Sequence, residues 1–493
     1  MISSIEQSPL YPIANPRHIA IFGASNQASS MGTGHLHSLR ELGFPGTIYP
    51  VHPREKEVQG LKAYASVLDL PEVPDLALLV LPTRIVPGII DECGRKGIRH
   101  AIVVSGGFKE VGGEGVRLEE ELRASARKHG IRFLGPNCIG VANPHRRLNT
   151  TFFDFDGKPG FIGMASQSGS FVTQMFSYLA RHDMGFSTGF SVGNEADIDI
   201  LDAMEYLGAC PHTRVIALYI EGIRRGRAFL ELARSIVPEK PIVALYVGGS
   251  GSGKRASLSH TGAMAGPDGI YEGAFHQGGI LRASSITEMF DFCRVLGALP
   301  SPGGDRVAVQ THSGGPGAVA ADACGRAGLR LPPLSPSTLE KLASLVPVTG
   351  SVDNPVDMTY FREPGHYFRE VPRALLEDPG IDALLLYLLL PEHLLVQALE
   401  GRGVPKEKIP EQSRLFIREQ AASLRDLVRE YGKPLAGYTF RALEEPLIKE
   451  LRDRGIPVFP DSHRAAGALR AMVLYARARE RILADGPTAR DPG

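Results

Sequence analysis

The chain has no tryptophan, five cysteines among 493 residues, and no surplus of charge, with 54 basic against 54 acidic residues. Each shortage excludes something. Balanced charge removes the electrostatic footprint of a nucleic-acid or anionic-membrane binder. Cys93, Cys138, Cys210, Cys293 and Cys324 form no C-x-x-C pair. Such a sparse, odd set excludes a disulfide framework and a zinc knuckle and points to a reducing compartment. Long apolar runs are also missing. The longest, "ALLLYLLL" at 383–390, falls far short of the ~20 residues that cross a bilayer and reads as a buried strand. The first residues, "MISSIEQSPLYPIANPRH", lack the basic start and apolar core of a signal peptide. These absences predict a cytoplasmic protein.

Short β-rich apolar runs alternate with helical patterns along most of the chain, which predicts an α/β protein with parallel sheets. A first series of strands is expected at "HIAIFG", "TIYPV", "LALLVLP", "HAIVVS" and "IRFLG". The polar, turn-rich stretch 143–160 marks a boundary. "FIGMAS", "FSTGFSV", "RVIALYIEG", "PIVALYVGG" and "ILRAS" form a second series, closed by the Pro/Gly linker "ALPSPGGD". "RVAVQT", "IDALLLYLLL", "PLAGYTF" and "IPVFP" form a third, followed by a helix from Asp461. The expected domains are 1–146, 147–300 and 301–483, with a tail at 484–493.

Each series opens with a strand, a Gly/Ser-rich turn and a helix. The turns are "GASNQASSMG", "SQSGS" and "THSGGPG". Gly and Ser make tight turns and caps for purely structural reasons. Three such turns at strand ends of doubly wound sheets point instead to three anion sites, because ligands bind there and helix N-termini attract negative charge. The first turn lacks G-x-G-x-x-G spacing, and the second strand runs into Arg54 rather than an acid. That argues against a nicotinamide cofactor and an oxidoreductase. "GGSGSGKR" at 248–255 imitates a P-loop, but Arg255 stands where a Mg²⁺-holding hydroxyl belongs. No H-x-x-x-H pair occurs, so the zinc-enzyme reading fails.

His260 lies in "ASLSHTGAMAG", a stretch of small residues after Lys254 and Arg255. A lone histidine is most often a solvated or satisfied side chain. Here Ser259, Thr261 and Gly262 permit close backbone approach, and Glu221 ends a strand where a doubly wound sheet puts its site. A carboxylate on one ring nitrogen fixes the tautomer and leaves the other nucleophilic. An imidazole facing helix N-termini is suited to become a phosphohistidine.

These residues carry a resemblance. "IFGAS", "VHP", "SGGFKE", "GPNCIG", "SQSG", "GNEADID", "YIEG", "SHTGAMAG", "SGGPG" and "NPVDMT" together resemble the α-type subunit of the NDP-forming acyl-CoA synthetases, the superfamily of succinyl-CoA synthetase and ADP-forming acetyl-CoA synthetase. The resemblance spans roughly residues 10 to 480. It implies a Rossmann-like coenzyme A-binding domain followed by two flavodoxin-like ligase domains. It implies reversible conversion of acyl-CoA, phosphate and NDP to acid, CoA and NTP through an acyl phosphate.

By matching position, His260 is the phosphorylated residue and Glu221 its partner. Ser168, Gly169, Ser259, Thr261, Gly314 and Gly315 hold phosphate. Gly23, Ala24, Ser25, Val51, Pro53, Arg54, Ser105, Gly106, Phe108, Pro136, Asn137 and Cys138 line the CoA site. No metal ligand is expected in this chain. The chain carries no ATP-grasp segment, which implies a separate nucleotide-binding β subunit holding Mg²⁺ with its nucleotide. It departs from relatives at His52, at His312 and at Tyr246 and Gly249, where cations are usual. A CoA-binding regulator without turnover is the alternative.

Overall fold

The computed structural model describes residues 2, 4–251, 266–359 and 363–486. The chain divides into two compact units, Met1–Ser285 and Ile286–Gly493.

The first unit holds two large sheets and a two-stranded antiparallel pair, Glu57–Val58 with Leu61–Lys62. In the first sheet, β1 (His18–Phe22), β2 (Thr47–Val51), β3 (Leu76–Leu79), β4 (His100–Val103) and β5 (Arg132–Leu134) are all parallel, in the order β2-β1-β3-β4-β5. The near-continuous apolar run of β3, Leu76 to Leu79, is fully buried, as a strand covered by helices on both faces requires. Phe22, Leu79, Val103, Phe108 and Phe133 pack one core beneath the helices Val86–Lys96 and Glu114–His129. The latter helix stops where Gly130 takes up a left-handed conformation, with Arg127, Lys128 and His129 in its last turn, the ending that both backbone sterics and the helix dipole favour.

β6 (Val141–Asn143) runs up to the polar, turn-rich stretch 143–160, and β7 (Leu148–Asn149) lies inside it. β7 pairs antiparallel with β6, and β6 pairs antiparallel with the strand Phe186–Ser191, so both extend the second sheet. That sheet continues with β8 (Pro159–Ser166), β9 (Phe186–Ser191), β10 (Val215–Ile220), β11 (Ile242–Tyr246) and β12 (Leu281–Ala283). Its order is β12-β11-β10-β8-β9-β6-β7, and the five long-range crossover strands are parallel.

The second unit repeats the plan. β13 (Val307–Thr311), β14 (Val356–Asp357), β15 (Ala383–Tyr387), β16 (Leu435–Tyr438) and β17 (Val458–Phe459) are parallel, in the order β14-β13-β15-β16-β17. The "ALLLYLLL" run is indeed a core strand, with Leu384, Leu385 and Leu386 buried. Asp461 caps the closing helix Ser462–Ala484, its Oδ1 accepting from Arg464 N–H at 2.8 Å. The five cysteines are free and buried. Among the described residues no helix is long and apolar enough to cross a membrane.

The five parallel strands of each of the three large sheets therefore share one order, with the second strand outside the first and the third on its other side. The chain reverses direction across the sheet between the first and third strands, and a crevice opens there at their carboxyl ends. Gln167, Gly169 and Glu221 lie at that crevice in the second sheet.

Candidate active site

The site is built from the tip of β8. Ser166 Oγ donates to Ser168 O (2.7 Å) and accepts from Ser168 N–H (3.1 Å). This local turn lets the helix Gly169–Arg181 start at the end of the strand. No side chain caps that helix, and its first N–H groups have no partner within the helix. Together with the helix dipole they favour an anion. The glycine is required: a Cβ on Gly169 would stand 2.6 Å from Ile139 Cγ1.

Gln167 lies in the crevice between the ends of β8 and β10. Its Oε1 accepts from the N–H groups of Glu221 (2.5 Å) and Gly222 (3.0 Å). Its Nε2 donates to Gly222 O (2.7 Å) and to Glu195 Oε2 (3.0 Å). Glu221 is 3 % exposed at the end of β10.

Glu195 has a left-handed backbone, φ 54°, and its Oε1 accepts from Ile200 N–H at 2.9 Å. Burial pushes its carboxyl up to about 7, against the opposing pull of Arg224 and that N–H bond. Arg224 donates to Glu195 O and Asn194 O, each at 2.8 Å. Asn194 Nδ2 donates to Glu110 Oε2 (2.6 Å) and Glu119 Oε2 (3.1 Å), and its carbonyl accepts from Lys109 Nζ (2.5 Å). Burial, then the nearby Arg224, lowers the Lys109 ammonium below its ordinary value. Glu110 Oε1 in turn accepts from the N–H groups of Gly107 and Phe108. Four sequence motifs, "SGGFKE", "GNEADID", "SQSG" and "YIEG", thus meet in one buried polar network.

Beside this network lies a cavity of about 540 Å³. Ser105, Gly106, Asn137 and Cys138 line one side, and Gln167, Gly169 and Ser170 line another. Leu81, Ile139, Phe152 and Met31 add apolar walls. The predicted CoA loops are joined to each other: Asn137 N–H donates to Ser105 O at 2.9 Å. Ser105 Oγ donates to Leu81 O (2.6 Å), locking the ends of β3 and β4 together. Gly23 has φ 87°, and a Cβ there would sit 1.9 Å from Val80 O. Ala24 is buried, and Ser25 N–H donates to Thr33 Oγ1 at 3.0 Å.

Val51 ends β2, with Pro53 and Arg54 exposed just after it. These residues do not line the cavity, and neither do Pro136 or Phe108. Phe108 is wholly buried in the core of the first sheet. Burial raises the Cys138 thiol to about 12, so it is no nucleophile.

Gly314 and Gly315 belong to the second unit, where they open the helix Gly314–Arg326 after a turn at Ser313. His260, Ser259 and Thr261, with Lys254 and Arg255, lie outside the described residues. Among the described residues no group of three or more His, Cys, Asp or Glu side chains could hold a metal. Sequence reasoning named Glu221 and the helix start but missed Gln167, Asn194, Glu195 and Phe152. Gln167, Asn194 and Glu195 were inside quoted motifs; nothing in their spacing told which partners they meet.

Comparison with known proteins matches the geometry. A CoA-binding domain model matches residues 17–144, a succinyl-CoA ligase-like flavodoxin domain model 159–296, and a ligase-CoA domain model 307–396. The chain is 40 % identical over 470 residues to the α subunit of acetate–CoA ligase (ADP-forming) II of Pyrococcus furiosus, covering 94 % of this chain and 97 % of that one. Acetate–CoA ligase (ADP-forming) I of Archaeoglobus fulgidus is 40 % identical over 76 % of this chain but only 54 % of its own length. A solved structure, the dinucleotide forming acetyl-coenzyme A synthetase 1 of Ca. Korarchaeum cryptofilum in complex with phosphate and ADP, aligns with a TM-score of 0.85 at 34 % identity, covering 97 % of this chain and 98 % of that one. On its sequence, its three sheets and the site between the first two, the chain belongs to the NDP-forming acyl-CoA synthetase family, as one of its α-type subunits.

Proposed function

We propose that this α-type subunit is the acyl-transferring and phosphoryl-carrying part of an acid–thiol ligase that interconverts acyl-CoA, phosphate and NDP with carboxylic acid, CoA and NTP. The observation that carries the reading is the cavity of about 540 Å³ that runs from the Ser105–Gly106 and Asn137–Cys138 loops to the helix start at Gly169 and Ser170. A thioester held by those loops has its carbonyl beside an anion cradle. The cradle puts inorganic phosphate within reach of it.

A phosphate oxygen attacks the thioester carbon, the C–S bond breaks, and CoA leaves as the thiolate. The acyl phosphate then gives its phosphoryl group to a nitrogen of His260, releasing the carboxylate. The phosphohistidine finally transfers the group to NDP. The carboxylate of Glu221 holds the other ring nitrogen and stabilises the charge that develops on the imidazole. Gly314 and Gly315 open a second helix with no side-chain cap, in the other unit. The role of His260 rests on the family resemblance and on the anion cradle beside Glu221.

The nucleotide step belongs to a partner. The Pyrococcus relative is named a subunit α, and the chain spans about half of the Archaeoglobus relative. The name of the Pyrococcus relative supports a separate ATP-grasp β subunit, which holds the nucleotide and its Mg²⁺. The test is to incubate the purified chain with ³²P-phosphate and acyl-CoA. An acid-labile, base-stable label is expected on the wild type and none on His260→Ala. NTP is expected only once the β subunit is added. CoA binding without label from any acyl-CoA would favour the regulatory reading.

A further inference from the structure

Gln167 takes no part in the chemistry just described, yet its side chain is fully engaged. It is 7 % exposed, and its one amide makes four hydrogen bonds of 2.5–3.0 Å, to Glu221, Gly222 (twice) and Glu195. An amide has two donor hydrogens and two acceptor lone pairs, so all its capacity is used and its orientation is fixed by its partners. The acceptor faces two backbone N–H groups, and the donors face a carbonyl and a carboxylate. Two residues along the chain, Gly169 opens the anion-binding helix. A single short segment therefore bears on one side against the phosphate cradle and grips on the other the backbone at Glu221.

We propose that Gln167 is a positioning residue for phosphoryl transfer: it sets the distance between Glu221 and the phosphate cradle, and the Glu195 carboxylate keeps its amide turned the right way. The inference rests on the reading of Glu221 as the partner of a phosphorylated histidine. Alanine at 167 leaves the Glu221 and Gly222 N–H groups without their acceptor in a buried site, where such groups are costly. Glutamate is isosteric but brings a carboxylate oxygen against Glu195 and Gly222 O. Reversing the pair, with Gln167→Glu and Glu195→Gln together, restores the side-chain hydrogen bond with donor and acceptor exchanged.

The experiment uses the full chain with ³²P-phosphate and a panel of acetyl-, butyryl-, phenylacetyl- and succinyl-CoA, following label uptake at saturating substrate in a single turnover. Circular dichroism and melting temperature establish that each variant is folded. In Gln167→Ala the rate at saturation is expected to fall at least about tenfold, while half-saturation for acyl-CoA moves less than about threefold. Gln167→Glu is expected to fall as far, and Gln167→Glu/Glu195→Gln, which restores the bond to residue 195 but not that to Gly222 O, to recover part of the rate. A purely structural role would lower the melting temperature and leave the single-turnover rate of the folded fraction alone. A folded Gln167→Ala with a wild-type rate overturns the inference. So does a reversed pair no faster than Gln167→Glu. A wild-type chain that takes label from no acyl-CoA overturns the underlying reading of the site, and the inference with it.

Discussion

The turns that open the second and third sheets are built alike and furnished differently. In the first unit, Ser166 Oγ donates to Ser168 O at 2.7 Å and accepts from Ser168 N–H at 3.1 Å. In the second, Thr311 Oγ1 donates to Ser313 O at 2.9 Å and accepts from Ser313 N–H at 3.3 Å. Each turn leads into a 13-residue helix that no side chain caps, starting at Gly169 or Gly314. The residue between the two ends of the turn differs. Gln167 reaches into a set of buried carboxylates and amides. His312 lies edge-on against Tyr387, ring centroids 5.1 Å apart, in a cluster with Tyr438 and Phe440. Burial lowers the His312 imidazole below its ordinary value, against the raising effect of Asp357. A hydroxyl at the strand end fixes the backbone in both places, and the middle residue joins a polar set in one crevice and an aromatic set in the other.

The sharpest test of that contrast is Glu221→Gln. It removes a charge from the polar crevice only, and phosphate labelling of the chain is expected to fall by about 100-fold or more, while Tyr387→Leu in the aromatic crevice leaves label within about tenfold. A pH series separates the two crevices next. Glu195 titrates near 7 in the folded chain and at its ordinary lower value when unfolded. The folded chain therefore binds the extra proton between about pH 4.5 and 7, and this group costs stability progressively as pH rises through that window, roughly 3 kcal/mol in all. The stability of Glu195→Gln relative to wild type should rise from pH 5 to pH 8 in urea titrations; a flat difference would break the contrast.

Phe152→Ala opens the apolar wall of the cavity and is expected to shift kcat/KM toward bulkier acids by about tenfold, read by competition between acyl-CoAs. His312→Asn should change labelling by less than about threefold. The smallest effects are expected where the two turns agree. Ser166→Ala and Thr311→Val each remove the same kind of turn bond and should each cost about 1 kcal/mol, measured from denaturation midpoints; unequal losses would show that the turns are not equivalent.

The strands were legible because a parallel strand covered on both faces must be apolar along its length, as "LALL" and "ALLLY" are. The helix start at Gly169 was legible because a Gly/Ser-rich turn after such a strand allows a tight strand-to-helix turn. The network was not. Glu110, Asn194 and Gln167 are far apart in sequence, and only the return of each chain segment to the crevice makes them neighbours. Phe152 was hidden differently. It sits in a stretch whose composition is that of a linker, and it reaches the cavity because β7 carries the chain back along the sheet edge.

That edge has a practical consequence. β6 leaves the first sheet's last turn and zips onto Phe186–Ser191, every residue of which is buried. A truncated gene product beginning at residue 150 would bare this strand's outer row of N–H and C=O groups beside an apolar flank, a template for uncontrolled pairing with other chains. Anyone expressing pieces of this molecule should expect inclusion bodies from such a cut, and a well-behaved fragment only when residues 141–149 travel with the second sheet.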